Sequence, residues 1–152
     1  MKTPTQKASQ AGFTLIEILI VIGIIAILAA IVLVAVNPSK QFQKANDAQR
    51  ISNVNAILNA VGQYMVDNKG SLPAGITSTD RDLGSAAADI CSNLVPIYLA
   101  ALPADPSKTD QSIDNTECSG TYSTGYNIQK DANNRVTISA PSAQNGTISV
   151  TR

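Results

Sequence analysis

The 152-residue chain carries 11 Lys+Arg against 11 Asp+Glu, so it has no net basic field with which to gather nucleic acid. Histidine and tryptophan are absent and there are only 2 cysteines, which excludes histidine-based acid–base catalysis, Ser-His-Asp and Cys-His nucleophile systems and the usual zinc ligand sets. Charged residues make up 14% of the chain against roughly 25% in a typical soluble domain, so apolar sequence is concentrated somewhere, in a chain long enough for one domain of ordinary size.

It is concentrated near the N-terminus. Every residue from Ile18 to Val36 is Ile, Leu, Val, Ala or Gly, and Phe13-Thr14-Leu15-Ile16-Glu17 leads into the run. A helix over 13–36 rises about 36 Å, more than the roughly 30 Å of bilayer hydrocarbon. A helix apolar all round belongs in a membrane or at the centre of a helical assembly. A cleaved secretory signal with Lys2 and Lys7 as its charged region fits less well. The run is longer than the roughly 7–15 residues of such a signal, no small-x-small cleavage site follows it, and Glu17 interrupts its start. A plain single-pass anchor stays open, but leaves Glu17 without a role.

Glu17 is the residue that asks for an explanation. A charge inside hydrocarbon costs about 2.5–3.5 kcal/mol on insertion scales and normally has a partner. It lies four residues after Phe13, about 6 Å along a helix axis. Were the chain cut after Gly12, the new amine on Phe13 of a neighbouring copy would be a natural partner, and the pair would set the register between copies. The alternative is a carboxylate at the membrane edge that reaches the headgroups or takes up a proton.

The stretch Gln10-Ala11-Gly12-Phe13-Thr14-Leu15-Ile16-Glu17, preceded by Lys2 and Lys7 and followed by the apolar run, resembles the signal of type IV prepilins and type II secretion pseudopilins. The resemblance implies a leader over residues 1–12, a prepilin peptidase that cuts between Gly12 and Phe13 and N-methylates Phe13, and Glu17 as the assembly residue. It also implies partners: copies of the chain and related pilins in a helical filament, an inner-membrane assembly platform, and the lipid bilayer before assembly. The precursor is then a single-pass protein of the cytoplasmic membrane with its C-terminal domain outside the cytoplasm, and the product an extracellular or periplasmic filament. Many members carry a proline in the second half of the apolar helix, whereas here the first proline after the cut is Pro38.

Beyond the apolar segment (13–36) the pattern turns amphipathic. Asn37-Pro38 suits both a helix start and a kink in a continuing helix. Ile51, Val54, Leu58, Val61 and Met65 recur at steps of three and four, with Phe42, Ala45 and Ala48 extending the stripe upstream, while Lys44, Asp47, Arg50, Asn53 and Asp67 lie mostly off it. Lys69-Gly70 and then Pro73 end the pattern. The prediction is one long, bent helix from about Thr14 to Lys69.

Pro73 to Asp89 is predicted to be loop, turning helical near Ala86, and Leu94 to Leu102 a short helix opened by Pro96 and ended by Pro103. Leu102-Pro103-Ala104-Asp105-Pro106 is similar to what pseudopilins and small pilins show before their sheet, although Ser107-Lys108 follows where major pseudopilins commonly have an aromatic residue with glycine. Cys91 and Cys118 form a disulfide if the domain lies outside the cytoplasm, and are two buried thiols otherwise. Asp105, Asp110, Asp114 and Glu117 offer oxygens to calcium, but without EF-hand spacing, and solvation is the ordinary fate of such a loop. No cofactor is expected.

Three strands follow, at Thr121–Gln129, Arg135–Ala140 and Thr147–Thr151, with Tyr122, Tyr126 and Ile128 on one parity and Val136/Ile138 and Ile148/Val150 matching them. Asp131 to Asn134 and Asn145-Gly146 are turns; Asn145-Gly146-Thr147 is also formally a glycosylation sequon. The expected fold is α+β and pilin-like: a long N-terminal helix, membrane half and amphipathic half, with a three-stranded antiparallel sheet from about residue 121 packed on the second half, in a globular domain over 37–152. No nucleophile, base and orienting group occur together, so the chain is expected not to be an enzyme. The expected role is a structural subunit of a type IV pilus or pilus-like filament. The alternative is a type II secretion pseudopilin that helps export folded proteins.

Overall fold

The computed structural model describes residues 12–152; the predicted leader therefore lies, Gly12 apart, outside the described residues. Two units follow one another along the chain, divided after Ser39. The first contains helix α1, Leu15–Val36. Thr14 caps it: its backbone is extended and its side-chain oxygen accepts the Glu17 N–H at 3.3 Å. Among the described residues, no side chain of α1 is buried.

The helix does not run unbroken to Lys69. It stops at Asn37, whose φ is 44°, and Pro38 opens a second helix, α2, Pro38–Asp67. A proline ring crowds the right-handed helical conformation of the residue before it, and asparagine tolerates the left-handed region better than most residues. Proline at a first helical position then loses no hydrogen bond. The break therefore comes from Asn37-Pro38. At its far end α2 closes with Lys69 and Gly70 at positive φ, the Gly70 N–H returning to the Met65 carbonyl at 2.7 Å.

The second unit is organised around the inward face of α2, which carries Asp47, Arg50, Asn53, Val54, Ile57, Leu58, Ala60 and Val61. Val54, Leu58 and Val61 lie where the periodicity put them, and Met65 is partly buried. The upstream stripe is corrected. Phe42, Ala45, Ala48 and Ile51 are exposed, and three polar residues expected outside are buried instead. Residues spaced by three advance about 300° around a helix, so each step slips about 60°. Phe42, Ala45, Ala48 and Ile51 thus spiral away from the core face, while steps of three and four through Asp47, Arg50, Val54, Ile57 and Val61 stay on it.

The predicted three-stranded sheet has four strands, all antiparallel in the order β1-β4-β5-β6. These are β1 (Arg81–Gly84), β4 (Ser123–Lys130), β5 (Val136–Ala140) and β6 (Ile148–Thr151). Ile128 pairs with Ile138 and Ile138 with Val150, so the predicted parity holds across the last three strands. Strand β1 lies inside the predicted loop and has little pattern of its own, since only Leu83 of its four residues supplies a fully buried apolar side chain and its pairing slips between Asp82 and Gly84. The β4–β5 turn is built on Asp131, whose carboxylate accepts the N–H groups of Asn133 and Arg135 at 2.8 and 2.9 Å.

The predicted helix opened by Pro96 is also corrected. A short helix α3, Cys91–Leu94, precedes it, and Val95-Pro96 is a cis peptide bond. Leu102–Pro103 forms strand β2, paired with β3, Ser112–Ile113. Pro103 fits there because a two-stranded ribbon is all edge. Residues of α2, α3 and both sheets share one core, in which Ile57, Leu83, Leu94, Leu102, Tyr126, Ile128 and Ile138 are among the fully buried members. The fold is α+β.

Candidate assembly segment

The segment singled out in the sequence begins at Gly12, where an added Cβ would meet nothing within 4 Å. Phe13 beside it is 80% exposed. Glu17 sits in the first turn of α1, three residues after the capping Thr14. Thr14-Leu15-Ile16-Glu17 has the spacing of a capping box, and a carboxylate there also meets the positive end of the helix dipole. Glu17 thus has a local role at the helix start beside the assembly role that the resemblance implies. Thr14 has a structural duty here as the helix cap, and the S/T-x-x-E spacing is the sign that identifies it. Along α1 from Leu15 to Val36 every large apolar side chain is exposed.

The second unit contains a charged centre that no local pattern announces. Arg50, 1% exposed, donates through Nε and Nη2 to the two oxygens of Asp105 at 2.8 and 2.9 Å and through Nη1 to Asp47 at 2.8 Å. The Asp105 contact crosses 55 positions of sequence, which is why spacing could not reveal it. Asn53 joins α2 to the Ala104 carbonyl and the Tyr126 hydroxyl, each at 3.0 Å. Asp47 also accepts the backbone N–H groups of Gln144 and Asn145 and the Asn145 side-chain amide. Burial works to raise the Asp47 carboxyl, but hydrogen bonds from Asn145, Arg50 and Gln144 outweigh it and hold the group at about 2. Burial likewise works to raise the Asp105 carboxyl, but hydrogen bonds from Arg50 and Ser107 outweigh it and hold the group below the ordinary carboxylate range. The Asp105 contact first, then Asp47, raises the Arg50 guanidinium against its own burial. Among the described residues every buried polar side-chain atom has a partner.

Cys91 and Cys118 are joined in a disulfide, which ties α3 to the 3-10 turn Glu117–Ser119. Three of the four acids offered to calcium have separate duties. Asp105 is bound to Arg50 in the core. Asp114 accepts the N–H groups of Thr116 and Glu117, and Glu117 returns a carboxylate oxygen to the Asp114 N–H at 2.8 Å. Among the described residues no group of three or more His, Cys, Asp or Glu side chains is placed to hold a metal ion. The amide of the sequon residue Asn145 donates to Asp47 at 2.8 Å.

A capped helix, apolar at every position but Glu17, precedes an α+β domain. Residues 7–33 match the family described as the prokaryotic N-terminal methylation motif. The chain is 40% identical over 103 residues to the type II secretion system core protein G of Aeromonas hydrophila, covering 66% of this chain and 70% of that protein. It is 32% identical over 121 residues to the protein of the same name from Escherichia coli K12, covering 74% and 77%. The counterpart from Pseudomonas aeruginosa is 34% identical over 107 residues, covering 66% and 70%. No solved structure matches the chain significantly. The chain belongs to the family of pilins and pseudopilins that includes the type II secretion system core protein G.

Proposed function

We propose that the protein is a pseudopilin-type structural subunit that polymerises through α1 into a periplasmic filament of a type II secretion system. The observation that carries this is the helix Leu15–Val36, apolar at every position but Glu17 and without a buried side chain. Each Ile, Leu or Val left in water forgoes about 1.5–3 kcal/mol, so the helix must be covered first by lipid and then by other copies. Its relatives of the core protein G type support the secretion role. A prepilin peptidase cuts after Gly12 and methylates the Phe13 amine, and Glu17 receives the amine of a neighbouring copy during assembly. The domain lies outside the cytoplasm, in keeping with the Cys91–Cys118 bridge. The inner-membrane assembly platform is the remaining partner. The role is structural, needs no cofactor, and involves no catalysis.

Ser107-Lys108 after Asp105-Pro106 favours a second reading, a type IV pilus subunit. Deleting the gene separates the two: the secretion role predicts folded export substrates retained in the periplasm, the pilus role loss of surface fibres with export intact. The assembly claim is tested by Glu17→Ala in the full chain. Membrane insertion should be unchanged and filament yield strongly reduced; an undiminished yield refutes the role of Glu17.

A further inference from the structure

The loop between β5 and β6 contains the chain's single Asn-Gly pair, Asn145-Gly146. Both residues are exposed, and Gly146 has φ +136° with nothing within 4 Å of the place a Cβ would occupy. Before glycine, an asparagine side chain is open to attack by the following peptide nitrogen, since no side chain obstructs the approach and the glycine backbone is free to turn. Yet this asparagine is held at two points. Its backbone N–H and its Nδ2 both donate to Asp47 Oδ2 at 2.8 Å, and the Gln144 N–H contacts the two oxygens of the same carboxylate at 3.1 and 3.2 Å. Arg50 fixes Asp47 from the other side at 2.8 Å.

We propose that Asn145 is a deamidation site and that Asp47 guards it, so that opening of the Asp47 clamp is converted into a permanent change of charge in the β5–β6 loop. The Gly146 nitrogen gives up its proton to solvent and attacks Asn145 Cγ. A C–N bond closes a five-membered imide, the Cγ–Nδ2 bond breaks, and Nδ2 leaves as ammonia with a proton from water. Water then opens the imide at either carbonyl, leaving aspartate or isoaspartate at position 145. Water is the sole co-reactant. While Nδ2 and the backbone N–H stay on Asp47, Cγ cannot swing onto the Gly146 nitrogen. After the reaction a carboxylate stands where a donor faced Asp47, and the two like charges repel at short range. Isoaspartate also lengthens the main chain by one carbon between position 145 and Gly146, which changes the path of the loop beyond the clamp. The clamp, once lost in this way, does not re-form.

The test uses the full chain in detergent micelles, aged at neutral pH and followed by peptide mass spectrometry and enzymatic isoaspartate labelling. Three samples are compared: the folded wild type, the wild type in urea, and Asp47→Ala checked for fold by circular dichroism. Deamidation at Asn145 should be slow in the first and faster by about tenfold or more in the other two, as expected when a charged hydrogen bond that closes a loop is lost. Asn145→Gln should remove the signal. Equal rates in the folded and urea-treated wild type would overturn the guarding role whether or not Asp47→Ala folds. Accumulation at another asparagine first would overturn the site.

Discussion

Arg50 joins two carboxylates from different parts of the chain, one on its own helix and one from the segment after β2. Breaking a buried ion pair strands the remaining charges, at a cost of about 3–5 kcal/mol. Arg50→Ala should therefore lower stability in urea by that amount, more than Arg135→Ala, whose partner Asp131 is a surface contact worth about 0–1 kcal/mol. Acid should act on the same centre. Asp47 is held at about 2 against about 3.9 for a free aspartate. A lowered native value stabilises the fold above the unfolded value, and the contribution disappears as pH falls through the native one. Urea midpoints should fall between about pH 4 and pH 2, as Asp105, Asp114 and Asp131 are lowered in the same direction. Asp47→Asn should decline less steeply than wild type across that window, and parallel curves would remove Asp47 from the account. None of this was legible beforehand. Arg50 and Asp47 look like ordinary surface charges until Asp105, far along the chain, folds onto them.

At the scale of elements, α2 shows which part of a pattern can be trusted. The helix, its stop at Lys69-Gly70 and the core positions Val54, Leu58 and Val61 were readable because spacing alone determines them. The face of its first half was not, because charged residues turned inward where buried partners awaited them, and the spaced alanines drifted outward. Ile57→Ala therefore tests the observed face against the predicted one. Ile57 is fully buried, so truncation should cost about 2–5 kcal/mol. Ile51, 48% exposed and on the stripe the periodicity favoured, should lose well under half of that. Equal costs, measured by urea unfolding, would restore the predicted register. The last three strands were legible from alternation, whereas β1 exists through its pairing with β4 rather than through any pattern of its own. Reducing the Cys91–Cys118 bridge, with its sequence separation of 27, should lower stability by about 3–4 kcal/mol in the chain-entropy description. A scan of unfolding with and without reductant reads this directly.

For the molecule as a whole, the chain divides by solvent. Among the described residues, the members of the buried apolar core lie from Val54 onward, and the second unit begins at Lys40. Helix α1 contributes nothing to that core and cannot be satisfied by water. Its signal was the most legible feature of the sequence, since an unbroken apolar run depends on no distant partner. The two properties should therefore separate by truncation. A chain starting at Lys40 keeps each buried residue of α2 and the sheet, including the Arg50 centre, and should remain folded and monomeric without detergent, with a thermal midpoint close to that of the full chain in micelles. The full chain, moved from micelles to buffer, should associate, because each uncovered Ile or Leu of α1 adds about 1.5–3 kcal/mol in favour of burial. Sedimentation velocity with circular dichroism on both chains makes the comparison. A truncated chain that unfolds would mean that α1 supports the domain, and a full chain that stays monomeric in buffer would mean that α1 finds cover without lipid or another copy.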